Sequence, residues 1–221
     1  MGFLLHLLTA DDAFFDIGSN VGSYTMLASG VRGAKSIALE PVAATYDILS
    51  KNIKLNKLER LCAAINAGAG ATPSTMRFTS DEDTTNHVLS ANESMDNAVE
   101  VPVITVDSLL IHDHPTLIKI DVEGYETEVL KGMANTLNSA SLKAIIIELN
   151  GSGQRYGYDE EAIHQLLSSH GFNPYSYDPF TRELQQLPSY GNNNTIYCRH
   201  LSIITPRLKS APGIKVMGVT I

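Results

Sequence analysis

The 221-residue sequence is short of cysteine and of basic residues, and it has no long apolar run. Its two cysteines, Cys62 and Cys198, are too few for a disulfide framework or a cysteine-based zinc site. Sixteen Lys and Arg against 24 Asp and Glu give a net charge of −8. This balance argues against binding to nucleic acid or to an anionic membrane surface.

Targeting features are also missing from the sequence. Residues 1–8 are apolar but lack the basic segment of a secretory leader, and no apolar run reaches the length of a membrane span. His6 stands where a myristoylation motif has Ser or Thr. We therefore expect a cytoplasmic protein with no membrane span and with both thiols free.

What the sequence does contain is a strand, a glycine-rich turn and a helix pattern in immediate succession at residues 14–22 and beyond. Backbone N–H groups at such a helix N-terminus can face a ligand, and Gly18, without a Cβ, can lie against it. The alternative is a turn that only leads the chain from strand to helix. The apolar face predicted for this helix comprises Tyr24, Leu27, Ala28 and Val31.

The turn itself favours one ligand over another. It reads G-x-N-x-G and lacks the G-x-G-x-x-G spacing of dinucleotide sites. Asp16, at the end of the predicted strand, would repel a pyrophosphate but suits a cationic ligand that also carries hydroxyls and an amine. S-adenosylmethionine is such a ligand, since it combines a sulfonium, a ribose and an ammonium group.

Alternation of strands and helices predicts an α/β fold with a doubly wound, mostly parallel sheet. We expect a single domain over 1–221, with a core at about 13–204 and a tail at 205–221. The predicted parallel strands are 13–17, 36–40, 61–66, 117–121 and 143–149. A β excursion at 75–79 and 99–106 is predicted between the third and fourth of these, and a late antiparallel pair at 173–187 and 194–204. The polar segment 80–97 is either a mobile loop over a site or a solvated surface loop.

Polar residues end these predicted strands, where ligands bind in open α/β sheets. Glu40 follows the first glycine by roughly twenty residues, so its carboxylate can accept both hydroxyls of a ribose. Alternatively, it is a surface acid stabilised at a helix N-terminus. A ribose occurs in nicotinamide cofactors and in the methyl donor alike. The strand-ending residues are Asp16, Glu40, Asn66, Asp121 and Glu148.

Four motifs resemble one known family. The resemblance covers about residues 13 to 150 in collinear order, and the family is that of FkbM-type methyltransferases. These are class I, S-adenosylmethionine-dependent enzymes of Rossmann-like fold, associated mostly with O-methylation of hydroxyls on glycans or secondary metabolites. Ser19 stands where the family usually has alanine. The motifs are 15–22 with Thr25, Glu40-Pro41, 105–109, and 119–124 with Glu126.

The resemblance implies a set of cofactor-binding residues. The methionine part would be surrounded by Asp16, Gly18, Asn20 and Gly22, and Glu40 would take the ribose. Ala67 and Gly68 would lie near the adenine, with Asp107 in its neighbourhood. The matched motif residues Ser19, Thr25 and Pro41 are assigned to the same site. Asp121 and Glu123 would lie where the methyl group and the acceptor meet.

Methyl transfer from a sulfonium is an in-line displacement, so we expect no metal. An alcohol acceptor must lose its proton, which requires a base. The candidates are Asp121, Glu123 and, if the polar loop folds over the site, His87. Glu123 has an alternative role as an acid in the first turn of a helix, and Glu148 either reaches the acceptor or caps the next turn.

The leading hypothesis is therefore a methyltransferase whose partner is a small molecule or glycan with a hydroxyl acceptor. A nicotinamide-dependent oxidoreductase on a related fold is the first alternative, and a non-catalytic binding module on the cofactor fold is the second. The sequence His112-Asp113-His114 could suggest a metal, but it precedes Pro115 in a predicted exposed turn.

Overall fold

A computed structural model describes residues 1–79, 86–89, 98–191, 194–216 and 218–221. The α-helices are α1 (Gly2–Leu7), α2 (Ser23–Thr25), α3 (Ala43–Leu55), α4 (Glu126–Lys131), α5 (Ala134–Asn138), α6 (Glu160–Ser169) and α7 (Leu201–Ser210). A π-helical segment spans Met26–Val31, and 3-10 segments span Val106–Ile111 and Ser152–Tyr156. The strands are β1 (Ala13–Ile17), β2 (Lys35–Leu39), β3 (Cys62–Ile65), β4 (Gly68–Ala69), β5 (Ser74–Phe78), β6 (Val99–Ile104), β7 (Leu117–Ile120), β8 (Ala144–Glu148), β9 (Asn173–Asp178), β10 (Glu183–Gln186), β11 (Asn194–Cys198), β12 (Lys215–Val216) and β13 (Val219–Thr220).

The main sheet has eight strands in the order β10-β9-β11-β8-β7-β1-β2-β3. Strands β3, β2, β1, β7 and β8 are parallel, and β11 runs antiparallel to both β8 and β9. The chain winds from β1 to the β3 edge and then returns to β7, so the order of strands reverses between β1 and β7. This topology confirms the predicted doubly wound sheet with late antiparallel strands, and it puts a ligand-binding crevice at the carboxyl ends of β1 and β7.

Apolar residues cover both faces of the central strands. Every residue of β1 and of β7 is buried, as expected for parallel strands between two helical layers. Successive side chains point to opposite faces, so Phe15 and Ile118 join one core cluster whereas Phe14 and Leu117 join the other. The sheet is therefore a rigid base for the side chains that follow it.

The predicted β excursion is confirmed as a three-stranded sheet in the order β4-β6-β5. Strand β5 pairs antiparallel with β6, and the short β4, which the sequence pattern did not reveal, pairs parallel with it. Within the predicted polar loop, 80–85 and 90–97 lie outside the described residues. Residues 86–89 lie against β5, where the Leu89 N–H donates to the Arg77 carbonyl at 2.8 Å.

The helix after β1 differs from its prediction. Only Ser23–Thr25 is α-helical, and the chain then continues as a π-helix. A π-turn holds more residues than an α-turn, so the spacing expected of an α-helix fails here. The prediction that Val31 lies on the buried face was wrong, since Val31 is 47% exposed while Ala28 and Ser29 are buried.

The end of the chain also differs. The late strand ends at Cys198, and residues 201–210 form α7, so the predictions of β structure to 204 and of a tail from 205 were wrong. Pro206 lies inside this helix and obscures its pattern, because proline removes an N–H donor and normally ends a helix. Ile204 and Leu208, four residues apart, are buried against the α1 side of the sheet.

The state of the two cysteines and the absence of a membrane-spanning helix among the described residues were both expected from the composition. Cys62 and Cys198 are free and buried, in agreement with the predicted free thiols. They lie on β3 and β11, five strand spacings apart, or about 24 Å at ~4.8 Å each, whereas a disulfide needs Cα atoms within about 7 Å. Among the helices of the described chain, none is long and apolar enough to cross a membrane.

Candidate functional site

A cleft of about 640 Å³ opens at the carboxyl ends of β1, β2 and β7. It unites residues that are far apart in the sequence but that the fold places at one edge of the sheet. The predicted site residues that line it are Gly18, Asn20, Glu40, Pro41, Ala67, Gly68, Asp121 and Glu123. The other lining residues, for which no role was predicted, are Leu39, Ala69, Phe78, Asn86, Val88, Val122 and Tyr125.

The glycine turn is clamped between two strand ends. Gly18 has a φ of +76°, and a Cβ there would lie 1.8 Å from the backbone oxygen of Asp121. The N–H groups of Gly18 and Ser19 both donate to the Leu39 carbonyl, at 3.1 and 2.9 Å. A side chain at position 18 is therefore excluded by the end of β7, and the turn approaches the cleft as bare backbone.

Two further residues of the turn take a left-handed conformation. Asn20 has a φ of +52°, and its Oδ1 accepts from the Val21 N–H at 2.7 Å. Asparagine tolerates this region because its side chain bonds locally. Gly22 has a φ of +89° and precedes α2, and a Cβ there would lie 2.5 Å from Leu49 Cδ1. Gly22 thus shapes the turn without lining the cleft.

Glu40 joins the glycine turn to the beginning of α3. Its Oε2 accepts from the Asn20 N–H at 2.9 Å, and its Oε1 accepts from the Val42 N–H at 3.0 Å. Asn66 Nδ2 donates to the carbonyls of Glu40 and Pro41 at 2.9 and 2.8 Å. Burial raises the pKa of the Glu40 carboxyl to about 7, against the lowering effect of the two amides. Each carboxylate oxygen keeps a further lone pair for a ligand.

Three buried polar side chains hold the glycine turn from inside the protein, those of Asp16, Ser19 and Thr25. Asp16 is 1% exposed, and its Oδ2 accepts from the Thr25 N–H at 3.1 Å and from Thr25 Oγ1 at 2.6 Å. Burial raises the pKa of Asp16, while the nearby Lys119 charge lowers it. Ser19 Oγ donates to the Leu39 carbonyl at 3.2 Å. These three predicted residues hold the shape of the turn but do not line the cleft.

Asp107 has a structural explanation that the sequence did not reveal. Its Oδ1 accepts from the Thr136 N–H at 2.8 Å and from Thr136 Oγ1 at 2.7 Å, and its Oδ2 accepts from the Asn135 N–H at 2.9 Å. It therefore holds the first turn of α5, whose N–H groups have no partner within the helix. Asp107 is not among the residues that line the cleft, so its location beside an adenine stays a prediction without support from the geometry.

On the other side of the cleft, Asp121 is bound to a buried lysine. Lys119 is 4% exposed, and its Nζ donates to Asp121 Oδ2 at 2.5 Å. The ammonium lies 5.0 Å from the centre of the Tyr24 ring, and Lys119 is opposite Asp16 in the pairing of β7 with β1. No separate role was predicted for Lys119, although a lysine inside an apolar strand and two residues before an acid indicates a paired charge.

Glu123 lies among several charges. Its φ is +52°, and burial together with the negative charges of Asp121 and Glu148 raises its pKa, whereas Arg155 and His87 lower it. His87 is 2% exposed, and its carbonyl accepts from the Thr79 N–H at 3.0 Å. His87 is not itself among the lining residues, but its neighbours Asn86 and Val88 are.

The turn that carries Glu123 is fixed by Glu126. Glu126 is 4% exposed, and its Oε1 accepts from the N–H groups of Val122 at 3.3 Å and Gly124 at 3.2 Å. Burial raises the Glu126 pKa to about 7. Gly124 has a φ of +101°, and a Cβ there would lie 2.6 Å from the Ser152 carbonyl. Glu126 therefore positions the loop after β7.

An apolar wall completes the cleft. Phe78, Val88 and Tyr125 form one cluster although they come from β5, the segment 86–89 and the turn before α4. The Tyr125 ring packs edge to face on those of Tyr156 and Tyr158, with centroids 5.4 and 6.4 Å apart. No local pattern brings these segments together, so this wall could not be found from the sequence.

The histidine-containing sequence 112–114 has no metal-site geometry. Asp113 is instead ion-paired with Lys35, with Nζ and Oδ2 3.0 Å apart. Within the described ranges, no group of three or more His, Cys, Asp or Glu residues could hold a metal ion.

The sheet order and a cleft at the strand reversal define a Rossmann-like α/β protein with a cofactor-type site. The family model of the methyltransferase FkbM domain matches residues 16–174. The chain belongs to this family, and its fold is of the class I methyltransferase type. The match begins at the end of β1 and extends over β2, β3, the β excursion, β7 and β8, so it includes every residue that lines the cleft.

Two curated relatives are similar in sequence. The hexuronic acid methyltransferase AglP of Haloferax volcanii is 30% identical over 170 residues, which are 75% of this chain and 65% of that protein. Methyltransferase sdnD of Sordaria araneosa is 28% identical over 200 residues, with 75% of each chain covered. This chain thus spans just under two thirds of the length of AglP.

A solved structure supports the fold. The crystal structure of methyltransferase FkbM from Methylobacillus flagellatus KT aligns with a TM-score of 0.59 and 16% identity. The alignment covers 86% of this chain and 44% of that one. At this identity the likeness concerns the fold alone.

Proposed function

We propose that the protein transfers a methyl group from S-adenosylmethionine to an oxygen, a hydroxyl on a glycan or on a secondary metabolite. Family membership supports methyl transfer in general. The observation that carries the proposal is the meeting of three features in one cleft: the bare backbone at Gly18, the carboxylate of Glu40 and the carboxylate of Asp121. These features suit a ligand with a ribose and positive charge.

The residues present fit the cofactor. The cleft is lined by backbone, carboxylate and apolar groups together, which is the mixture that small-molecule sites present. Glu40 would accept the ribose hydroxyls, and Ala67, Gly68 and Phe78 offer small and apolar surface for an adenine. Asp121 would face the positive sulfonium, and an opposite charge at short range favours both ions.

When bound, the cofactor supplies an electrophilic methyl group, so the protein must hold the acceptor in line and receive its proton. Strand β7 is fully buried, so the loop that carries Asp121 and Glu123 follows a rigid strand. Alignment of the reacting atoms can lower the activation barrier by roughly 7–11 kcal/mol. A carboxylate within reach of the acceptor hydroxyl accelerates the reaction further as a base. We retain His87 as a third candidate because it interacts with Glu123.

The acceptor class is drawn from the chemistry of the site and from the relatives. AglP is named as a methyltransferase of hexuronic acid, a sugar that carries several hydroxyls and one carboxyl group. Carboxylates such as Asp121 and Glu123 are suitable hydrogen-bond acceptors for sugar hydroxyls. A simple uronic acid glycoside is therefore our first acceptor probe.

Calorimetric titration of the wild-type protein with S-adenosylhomocysteine and with NADH tests the proposal. We expect S-adenosylhomocysteine to bind at one site per chain and NADH not to bind. Binding of NADH alone would favour a nicotinamide-dependent oxidoreductase. Binding of neither would contradict the proposal and favour a non-catalytic module.

The variant Glu40→Gln tests the ribose contact. Loss of a charge-assisted hydrogen-bond pair costs about 1.5–3 kcal/mol, so affinity for S-adenosylhomocysteine should fall about 10- to 150-fold. The ionised form of Glu40 is the better acceptor and predominates above its pKa of about 7. Wild-type affinity should therefore rise between about pH 6 and pH 8, and the variant should lose this rise. The exposed-acid control Glu183→Gln should match the wild type, and unchanged affinity in Glu40→Gln would remove Glu40 from the site.

A further inference from the structure

The carboxyl groups of Asp121 and Glu148 form a pair at the ends of neighbouring strands. In the register of β7 with β8, Ile120 lies opposite Ile147, so the two acids follow at the same level. The negative charge of Asp121 raises the pKa of Glu148, as expected for acids that end neighbouring strands. Neighbouring carboxyl groups do not both ionise readily, so their environments decide which one holds the negative charge.

The environments of the two acids differ. Asp121 accepts from the ammonium of Lys119, whose side chain is 5% exposed, so a buried cation is paired with this carboxylate. Glu148 instead accepts from Nδ2 of Asn194 on β11, a neutral amide, at 3.3 Å. Asp121 thus has a cationic partner while the hydrogen-bond donor to Glu148 is neutral, so Glu148 is the better placed of the two to take up a proton.

The surroundings of Glu148 raise its pKa on balance. Burial and the negative charge of Asp121 raise it, while the ammonium of Lys119 and the side chain of Asn150 lower it. Glu123, on the loop after β7, adds a further negative charge that interacts with Glu148. Burial, and to a smaller extent the negative charge of Glu148, raises the pKa of Tyr24 in α2, so this tyrosine is neutral at physiological pH and adds no charge.

The strand order places Glu148 farther than Asp121 from the strands whose ends carry the proposed cofactor-binding residues. Gly18, Glu40 and Ala67 follow β1, β2 and β3, all on one side of β7. Glu148 ends β8, on the other side of β7. If the residues that follow β1, β2 and β3 hold the cofactor, the β8 side of Asp121 remains for an acceptor.

We propose that Glu148 is the base that takes the proton of the acceptor hydroxyl, while Asp121, ion-paired with Lys119, faces the positive cofactor. This rests on the proposed function. The acceptor oxygen forms a bond to the methyl carbon, and the carbon–sulfur bond breaks with its electron pair remaining on sulfur. The hydroxyl proton moves to the Glu148 carboxylate and from there to water. Lys119 is then a positioning residue.

The assignment can be tested without an acceptor. Side-chain carboxyl resonances in ¹³C-labelled protein are titrated by NMR, and the Glu148 resonance is identified by its loss in Glu148→Gln. We expect Glu148 to titrate above the ordinary Glu value of about 4.3, lower in Asp121→Asn and higher in Lys119→Met. Ordinary titration of Glu148, unmoved by either substitution, would overturn the proposal. Both titrations are recorded with and without S-adenosylhomocysteine.

Methyl transfer to methyl β-D-glucuronide gives the second readout. Glu148→Gln should lower kcat by about 10²-fold or more and remove the rise of kcat with pH, because a base works only above its pKa. Asp121→Asn should move that rise to lower pH, Glu183→Gln should behave as wild type, and S-adenosylhomocysteine should bind Glu148→Gln with wild-type affinity. A wild-type pH profile in Glu148→Gln would overturn the assignment.

The two proposals fail separately. Absence of S-adenosylhomocysteine binding by the wild type contradicts the proposed function, whatever the titration of Glu148. If the wild type binds the cofactor product but does not methylate the glucuronide, the NMR titration alone decides the assignment of Glu148. In that case the result also removes this glycoside from the acceptor class.

Discussion

The two sides of the cleft are built by different means. On the cofactor side, the turn at 18–22 is held by backbone hydrogen bonds and by left-handed residues, and even the Glu40 carboxylate is bound by two backbone amides. On the side proposed for the acceptor, Asp121 lines the cleft and is ion-paired with the buried Lys119, and Glu148 follows the neighbouring strand. The first side thus depends on backbone shape and the second on paired charges.

This difference predicts different responses to substitution. On the cofactor side, a methyl group added at Gly18 should lower stability and cofactor affinity, because the backbone at the end of β7 leaves no room for it. On the acceptor side, an isosteric substitution that removes one charge should already lower stability, because the partner charge is then left buried without compensation. The following substitutions test this contrast, beginning with the largest expected effect.

Gly18→Ala should have the largest effect on the cofactor side. Its Cβ would lie 1.8 Å from the Asp121 carbonyl oxygen. Overpacking and a left-handed alanine together should cost about 3 kcal/mol or more of unfolding free energy, with loss of cofactor affinity. Gly171→Ala is the matched control, since Gly171 has a φ of +81° but a Cβ added there would meet no atom within 4 Å. Equal denaturant midpoints for the two variants would contradict the steric account.

Asp121→Asn should have the next largest effect, on the acceptor side. Removal of the carboxylate leaves the Lys119 ammonium buried, at a cost of about 1.5–3 kcal/mol of unfolding free energy. Part of this loss should be recovered in the double variant Lys119→Met with Asp121→Asn. A double-mutant cycle from urea unfolding measures the coupling, and additivity within about 0.5 kcal/mol would show that the ion pair does not stabilise the fold.

Asp107→Ala should have the smallest effect and should leave the cleft unchanged. Loss of the α5 cap should cost about 1 kcal/mol of stability. Asp159→Ala is its control, because Asp159 caps α6 through the Glu161 N–H at 3.0 Å. Affinity for S-adenosylhomocysteine should equal the wild-type value in both. Weaker binding in Asp107→Ala alone would instead support a location of Asp107 beside the adenine.

The turn and the acid on the side proposed for the cofactor could be placed from the sequence because these elements are local. The spacing of Gly18, Asn20 and Gly22 after an apolar strand defines the turn, and Glu40 follows the next strand. Asp121 was likewise expected at the correct strand end. Asp107 was ambiguous, since an acid before a short helix can either cap a helix or contact a ligand.

The acceptor side was harder to predict because it depends on which strands are neighbours. Glu148 is adjacent to Asp121 only once β8 is placed beside β7. The pairing of Lys119 with Asp121 distinguishes the two acids only in that arrangement. Similarly, the wall of Phe78, Val88 and Tyr125 joins three separate segments. Local periodicity carries no information about such contacts.

The most direct test of the contrast compares Glu40→Gln with Glu148→Gln in the same two measurements, cofactor affinity by calorimetry and the rate of methyl transfer. Glu40→Gln should bind S-adenosylhomocysteine about 10- to 150-fold more weakly. Glu148→Gln should bind it as the wild type does but transfer methyl groups about 10²-fold more slowly, without the rise of rate with pH. Equal losses of affinity in the two variants, with Glu148→Gln keeping wild-type turnover at saturation, would contradict the division of the cleft into a cofactor side and an acceptor side.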